Sequence, residues 1–178
     1  MTKTLLILAH PNMPESKVNK ALIESIAEEP NITVHDLYQA YRSVEAIDVE
    51  KEQALLLEHD RIIFQFPLYW FSSPAILKEW LDVVLAYGFA YGHGGNKLAG
   101  KKCKIVISAG SPEAEYSSAG YNRYTLAEYL RPLESSILYT KMEFKGIFAV
   151  CGALELTAET LPQEVGKYRT MLKNEGWM

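Results

Sequence analysis

The chain alternates between two kinds of segment. Five short apolar runs, rich in β-branched or aromatic residues, lie at Thr4–Ala9, Ile32–Asp36, Arg61–Phe66, Lys104–Ala109 and Glu143–Val150, and helix-like stretches separate them. Strands that alternate with helices return parallel to one another, and a parallel sheet must be covered on both faces. The first, third and fourth runs are almost continuously apolar, as strands in the middle of a sheet should be. The pattern predicts an α/β three-layer sandwich around a five-stranded parallel sheet of order 2-1-3-4-5.

The predicted helices carry their own signals. Ser16–Glu28 has Val18, Leu22, Ile23 and Ile26 at helical spacing, with Ser16 placed as an N-cap. Val49–His59 and Pro74–Val84 follow, the second with proline in its first turn. Thr125–Tyr139 contains Pro132, which predicts a kink or restart. A last helix is expected from about Pro162 to Asn174, ended by Gly176.

A chain of 178 residues with 48% hydrophobic and 22% charged residues fits one globular domain over 1–178 and argues against disorder. The net charge of -4 removes the electrostatic case for nucleic acid binding. Cys103 and Cys151 sit in or beside apolar runs, so free thiols in a buried setting are expected, not a disulfide framework. The apolar start at Thr4–Ala9 is too short to span a membrane and has no cleavage signal after it. A cytoplasmic protein is expected.

In such sheets a ligand sits beyond the carboxyl ends of the strands, near the switch in strand order. Chemistry is therefore sought in the loops after the first, third and fourth strands. The first loop, His10–Glu15, leads into a helix, where His10, Ser16 and Asn19 are placed to meet a phosphate. Neither GxGxxG nor GxxxxGK[ST] is present, so position alone carries that reading, and capping explains Ser16 equally well. The second loop, Pro67–Ser73, puts Tyr69, Trp70 and Phe71 in a row between two prolines. A planar aromatic ligand explains them, and so, residue by residue, does a core or dimer-interface role. The third, Gly110–Asn122, begins with small residues that admit a ligand close to the backbone and carries Tyr116 as a hydrogen-bond donor.

A fourth segment, Tyr87–Gly95, is aromatic and glycine-rich and reads as a substrate-lining or interface loop. His93 has no ligand-spaced partner there, so no metal site is expected. No Gly-x-Ser-x-Gly elbow, HExxH motif or paired carboxylates stand out. His35 and His59 read as surface residues, and Asp60, Glu79 and Asp82 as solvated charges.

The segment Ile62–Trp80, which contains Phe-Pro-Leu-Tyr-Trp-Phe-Ser-Ser-Pro, resembles the flavodoxin-like NAD(P)H:quinone oxidoreductases of the DT-diaphorase type. The opening Leu-Ala-His-Pro with Ser16 and Asn19 is similar as well. Phe89–Gly95 looks most like the smaller bacterial members, which include ancillary flavoproteins of glutathione-gated potassium-efflux antiporters. The resemblance covers nearly the whole chain. It implies the flavodoxin-like fold and a homodimer with one noncovalent flavin per subunit. FMN is favoured over FAD by the short region after Val150. The implied activity is two-electron hydride transfer from NADPH or NADH through the flavin to quinones or similar acceptors.

Carried over by residue, the resemblance gives His10, Ser16, Lys17, Val18 and Asn19 to the flavin phosphate end. Pro67, Leu68, Tyr69, Trp70 and Phe71 would line the ring, with Ser108, Ala109, Gly110 and Ser111 contacting it from the next loop. Tyr116 matches the tyrosine that bonds the reduced flavin, and Tyr91 and His93 fall where a partner subunit lines the substrate pocket. Asn122, paired with Tyr116 as catalytic, stands where the family often has His. Ser108–Ser111 replaces a commoner Thr-Thr-Gly-Gly. An amide donates a hydrogen bond but takes up no proton, so charge uptake by that route is lost. Two rivals remain. One is a redox-sensing ancillary subunit of a potassium-efflux antiporter, peripheral to the inner face of the cell membrane. The other is an electron-carrying flavodoxin, opposed by a first loop poor in Ser, Thr and Gly.

Overall fold

The computed structural model describes residues 2–178. Five parallel strands, β1 (Thr4–Leu8), β2 (Ile32–Asp36), β3 (Arg61–Pro67), β4 (Lys102–Ser108) and β5 (Glu143–Val150), form one sheet of order 2-1-3-4-5. The expected topology is thus observed, with β4 starting two residues earlier than the apolar run. Lys102 and the apolar stem of Lys104 extend the ladder, and Lys104 Nζ reaches the Lys145 carbonyl and Glu175.

Seven α-helices flank the sheet among the described residues: α1 (Val18–Glu24), α2 (Leu37–Ala40), α3 (Val49–Glu58), α4 (Ala75–Val84), α5 (Leu126–Tyr129), α6 (Arg131–Tyr139) and α7 (Leu161–Asn174). The period of two along β1 divides the core. Leu6 and Leu8 pack with Val18, Leu22, Tyr168 and Leu172 of α1 and α7. Leu5 and Ile7 face the other way, toward Leu37, Leu56, Leu77, Trp80 and Leu133 beneath α2, α3, α4 and α6.

Two local expectations are corrected, at Ser16 and at the end of the first helix, and the expected break at Pro132 is observed. Ser16 does not cap α1: it closes a short 3-10 turn over Met13–Glu15, and Lys17 takes the N-cap position without a side-chain bond. That helix also ends at Glu24, four residues short of the predicted limit, because the chain must turn there to enter β2. Pro132 separates α5 from α6, since its ring has no N–H to continue the ladder. The short α2 went unseen: Asp36 ends β2 and caps it, accepting from the Tyr38 and Gln39 amides at 2.9 and 3.2 Å.

Of the two histidines expected at the surface, His59 is buried and His35 is half-buried. His59 donates Nδ1–H to the Leu55 carbonyl at 2.7 Å and accepts the Thr33 hydroxyl at Nε2. His35 donates to Glu52, a fully buried carboxylate that also accepts Tyr41 Oη–H at 2.5 Å and Trp80 Nε1–H at 2.8 Å. Cys103 is buried and Cys151 half-buried, both as free thiols.

Burial pushes the Glu52 carboxyl up, but its three donors outweigh that and hold it below its ordinary value. Its charge therefore stabilises the fold above the usual glutamate range, and this contribution is lost as the pH falls through the lowered value. Glu52→Ala strands two buried donors, Tyr41 and Trp80, with the half-buried His35, and should lower the unfolding free energy by about 3 kcal/mol at neutral pH. Urea denaturation followed by circular dichroism checks this, and the gap to wild type should narrow below about pH 4.

Candidate functional site

The loops that leave β1, β3 and β4 emerge together at one edge, where the strand order reverses between β1 and its two neighbours. Beneath them runs a buried polar chain. Tyr168 Oη donates to Gln65 Oε1, Gln65 Nε2 donates to Asn19 Oδ1 at 3.3 Å, and Asn19 Nδ2 donates to Ser108 Oγ at 2.9 Å. These bonds tie α7, β3, α1 and β4 together directly under the site. Asn19 is thereby spent internally and does not line the cleft, contrary to its expected role at a phosphate.

Two clefts lie above this floor. The first, about 490 Å³, is bounded by His10, Asn12, Glu15, Ser16, Lys17, Val18, Pro67, Leu68, Tyr69, Ser108, Gly110, Ala153 and Leu154. His10 accepts the Asn12 amide at Nδ1 (3.1 Å), so its neutral form carries the proton on Nε2 and has that donor free. Burial lowers the His10 pKa, with Asp36 opposing, which favours the neutral ring. With the Ser16 hydroxyl and Lys17 alongside, this end is suited to an anion.

The second cleft, about 440 Å³, is bounded by Leu68, Trp70, Phe71, Gly110, Ser111, Pro112, Tyr116, Asn122, Leu154 and Glu155. Leu68, Gly110 and Leu154 line both clefts, so the two are lobes of one elongated depression. The expected pair Tyr116 and Asn122 does meet here. Their loop is internally bonded, with Asn122 N–H donating to the Glu115 carbonyl at 3.1 Å and Tyr121 N–H to the Glu115 carboxylate at 2.7 Å. Gly120 makes that closure possible: a Cβ there would lie 2.4 Å from the Glu115 carbonyl oxygen.

Between Tyr69 and Ser72 the backbone forms a two-residue hairpin, closed by reciprocal amide–carbonyl bonds of 2.9 Å. Trp70 and Phe71 at its tip have φ of 47° and 61°, a left-handed turn that usually takes Asn-Gly. Each such residue costs on the order of 1–2 kcal/mol. Trp70 is nonetheless 91% exposed, so burying its ring does not offset that cost. A turn strained to display aromatic rings fits a planar ligand. On the facing wall Asn122 Nδ2 is screened from solvent and has no hydrogen-bond partner, an orphan donor beside the same cleft. The anion-suited lobe, the displayed rings and the orphan amide together fit a flavin mononucleotide in size and chemistry.

Ala109, expected at the ring, is buried and bonded to the Val150 carbonyl instead. Tyr91 and His93 lie away from both lobes; Tyr91 borders a groove between α4 and α6, and His93 is exposed. Ala153, Leu154 and Glu155 escaped the sequence reading. They follow β5, so the carboxyl-edge rule would have found them had it been applied to all strands.

Comparison with known proteins places the chain. The family defined by the flavodoxin-like fold matches residues 2–172, and the chain belongs to it. It is 44% identical to the uncharacterized NAD(P)H oxidoreductase YdeQ of Bacillus subtilis, over 97% of this chain and 87% of that protein. It is 50% identical to the glutathione-regulated potassium-efflux system ancillary protein KefG of Cronobacter sakazakii, over 80% and 77%. The structure of general stress protein 14 from Treponema denticola in complex with FMN superposes with a TM-score of 0.89, at 37% identity over 97% of this chain and 98% of that one. An NADPH-quinone reductase from P. pentosaceus gives 0.86, at 36% identity over 96% and 97%.

Trp70→Gly should relieve the turn and raise the stability of the ligand-free protein by about 0.5–1 kcal/mol. The same change should weaken FMN binding severalfold. Thermal unfolding without FMN, and titration with it, check the two directions.

Proposed function

We propose that the chain is a flavin-dependent NAD(P)H:quinone oxidoreductase that binds FMN in the two-lobed depression at the carboxyl edge of the sheet. The observation that carries this is the junction of an anion-suited lobe at His10, Ser16 and Lys17 with a lobe walled by Trp70, Phe71, Tyr116 and Asn122. When bound there, FMN would supply the two-electron hydride chemistry that links NADPH or NADH to a quinone-like acceptor.

The protein's own work is holding, orienting and charge stabilisation. Nε2 of His10, the Ser16 hydroxyl and Lys17 grip the phosphate. The backbone from Pro67 to Phe71 sets the ring plane, and Gly110, without a side chain, lets the ring approach the start of the next loop. The Tyr116 hydroxyl and the Asn122 amide donate where negative charge builds during reduction. Asn122 stays neutral through the cycle, so it stabilises charge by donation alone.

A homodimer is part of this reading. The α4–α6 groove is lined by Leu81, Leu85, Leu130, Leu133 and the exposed Tyr139, with Lys78 and Asp82 beside them. A groove that combines leucines and tyrosine with a few polar groups suits a second copy, whose Tyr91 and His93 loop would then border the acceptor site. Free thiols at Cys103 and Cys151 fit the reducing cytoplasm. Among the described residues no helix is long and apolar enough to cross a membrane.

The similarity to KefG favours a second reading, an ancillary role at a potassium-efflux transporter, with exposed Tyr87 and the Phe89–Gly95 loop as the contact. Co-purification with such a transporter, together with very slow quinone turnover, would favour it.

The purified protein should be yellow and should release FMN on denaturation. A colourless preparation that takes up no FMN at micromolar concentration would end the proposal. Tyr116→Phe should retain FMN and slow its reduction by NADPH or NADH at least tenfold, the scale of one lost donor to developing charge. Single-turnover absorbance at the flavin band measures it.

A further inference from the structure

Tyr129 borders neither lobe of the depression, yet it joins the two walls of the ring lobe. Its ring stacks on Phe71, with centroids 4.7 Å apart and planes 24° from parallel. Its hydroxyl donates to the Asn122 carbonyl oxygen at 2.5 Å. Tyr124 meets the same ring edge-on at 5.8 Å. Tyr129 is itself held from both sides. Ahead of it, Thr125 and Glu128 form a reciprocal capping box, with Thr125 N–H to Glu128 Oε2 at 2.8 Å and Glu128 N–H to Thr125 Oγ1 at 3.2 Å. Behind it, Leu130 is buried against the core and Pro132 lies in the first turn of the next helix.

The two walls differ in what they lack. The Phe71 wall is a left-handed turn with no glycine to relax it. The Asn122 wall carries an amide donor without a partner. The Asn122 backbone has two anchors, its N–H on the Glu115 carbonyl and its carbonyl under the Tyr129 hydroxyl. An uncharged amide acts only through a well-aligned hydrogen bond, and such bonds weaken steeply with angle. A protonated imidazole in that place would still act through its charge; an amide cannot. Where the backbone of Asn122 sits therefore decides whether its side chain contributes.

We propose that Tyr129 is a positioning residue of the ring lobe, fixing the Asn122 backbone through its hydroxyl and the Phe71 turn through its ring. The proposal rests on the flavin reading above. It makes the effect of the Tyr129 hydroxyl on FMN conditional on the Asn122 side chain, although the bond itself is to the Asn122 main chain.

That conditionality is testable by a double-mutant cycle in FMN affinity, read by quenching of FMN fluorescence on titration with apo-protein. Tyr129→Phe keeps the stack and loses only the hydroxyl; Asn122→Ala keeps the carbonyl and loses only the amide. Each should weaken FMN roughly tenfold, about 1.4 kcal/mol. The double variant should bind no more weakly than Asn122→Ala alone, and the shifts in two-electron midpoint potential should show the same non-additivity. A merely structural role would leave the potential unmoved.

Additive losses, roughly a hundredfold for the double variant, would overturn the proposal, as would an unchanged affinity in Tyr129→Phe. If Tyr129→Phe fails to fold, Glu128→Ala opens the capping box instead and loosens both links; it should weaken FMN more in the wild-type background than in Asn122→Ala, where only the Phe71 link is left to lose, and equal losses in the two backgrounds would overturn the proposal. Wild-type protein that binds no FMN would remove the flavin reading and this role together. Wild-type protein that binds FMN while the variants add would remove the Tyr129 role alone.

Discussion

Parallel strands place every carboxyl end on one edge, and the depression exists because of that constraint. With order 2-1-3-4-5 the chain leaves β1 toward one neighbour and reaches β3 on the other side, so the loops after β1 and β3 diverge and leave a gap. Sheet pairing alone would not keep that gap in shape. The buried chain from Tyr168 through Gln65 and Asn19 to Ser108 ties two helices and two strands just below it. Its members satisfy one another in a water-poor setting, where an unpaired amide would be costly, and so they hold one geometry. Asn19 thus serves the site from beneath it.

On that rigid floor the Tyr69–Ser72 hairpin carries the strain. Two bulky residues in left-handed conformations are tolerated because both hairpin bonds form, Leu68 N–H is anchored on the Ser108 carbonyl at 2.8 Å, and Phe71 stacks on Tyr129. Stability given up at Trp70, which contacts water on most of its surface, is the pattern expected where display matters more than packing. The opposite wall shows the same preference, with a shielded amide left unpartnered at Asn122.

The Glu52 cluster stands in contrast. It brings a carboxylate, His35, Tyr41 and Trp80 together inside the other face of the molecule, every bond is made, and nothing there opens to a cleft. It binds α3 to α4, and α4 follows directly from the strained loop, so this satisfied cluster steadies the far end of the segment that displays Trp70 and Phe71.

The sheet and the place of the site are legible in the order of residues along the chain. Hydrophobic alternation and crossover length are local properties, so five parallel strands, their order and the loops that follow the first, third and fourth could be read from it, whereas the pairing of Tyr116 with Asn122 came only through the family resemblance. Local chemistry also marked Pro132 as a break. The tertiary structure alone decided which polar residues face the depression and which are spent below it. Asn19, in the first turn of α1, and Ala109, just after β4, lie at the right edge but turn inward, because partners distant in sequence, Gln65, Ser108 and Val150, claim them. His35 and His59 looked like surface residues because the groups that satisfy them, Glu52 and Thr33, are far along the chain. The left-handed turn at Trp70–Phe71 has no glycine to announce it, and the link from Tyr129 to Phe71 exists only once α5 has folded back. Hydrogen-bond partners and backbone strain are set by contacts between separate elements, and no spacing along one segment encodes them.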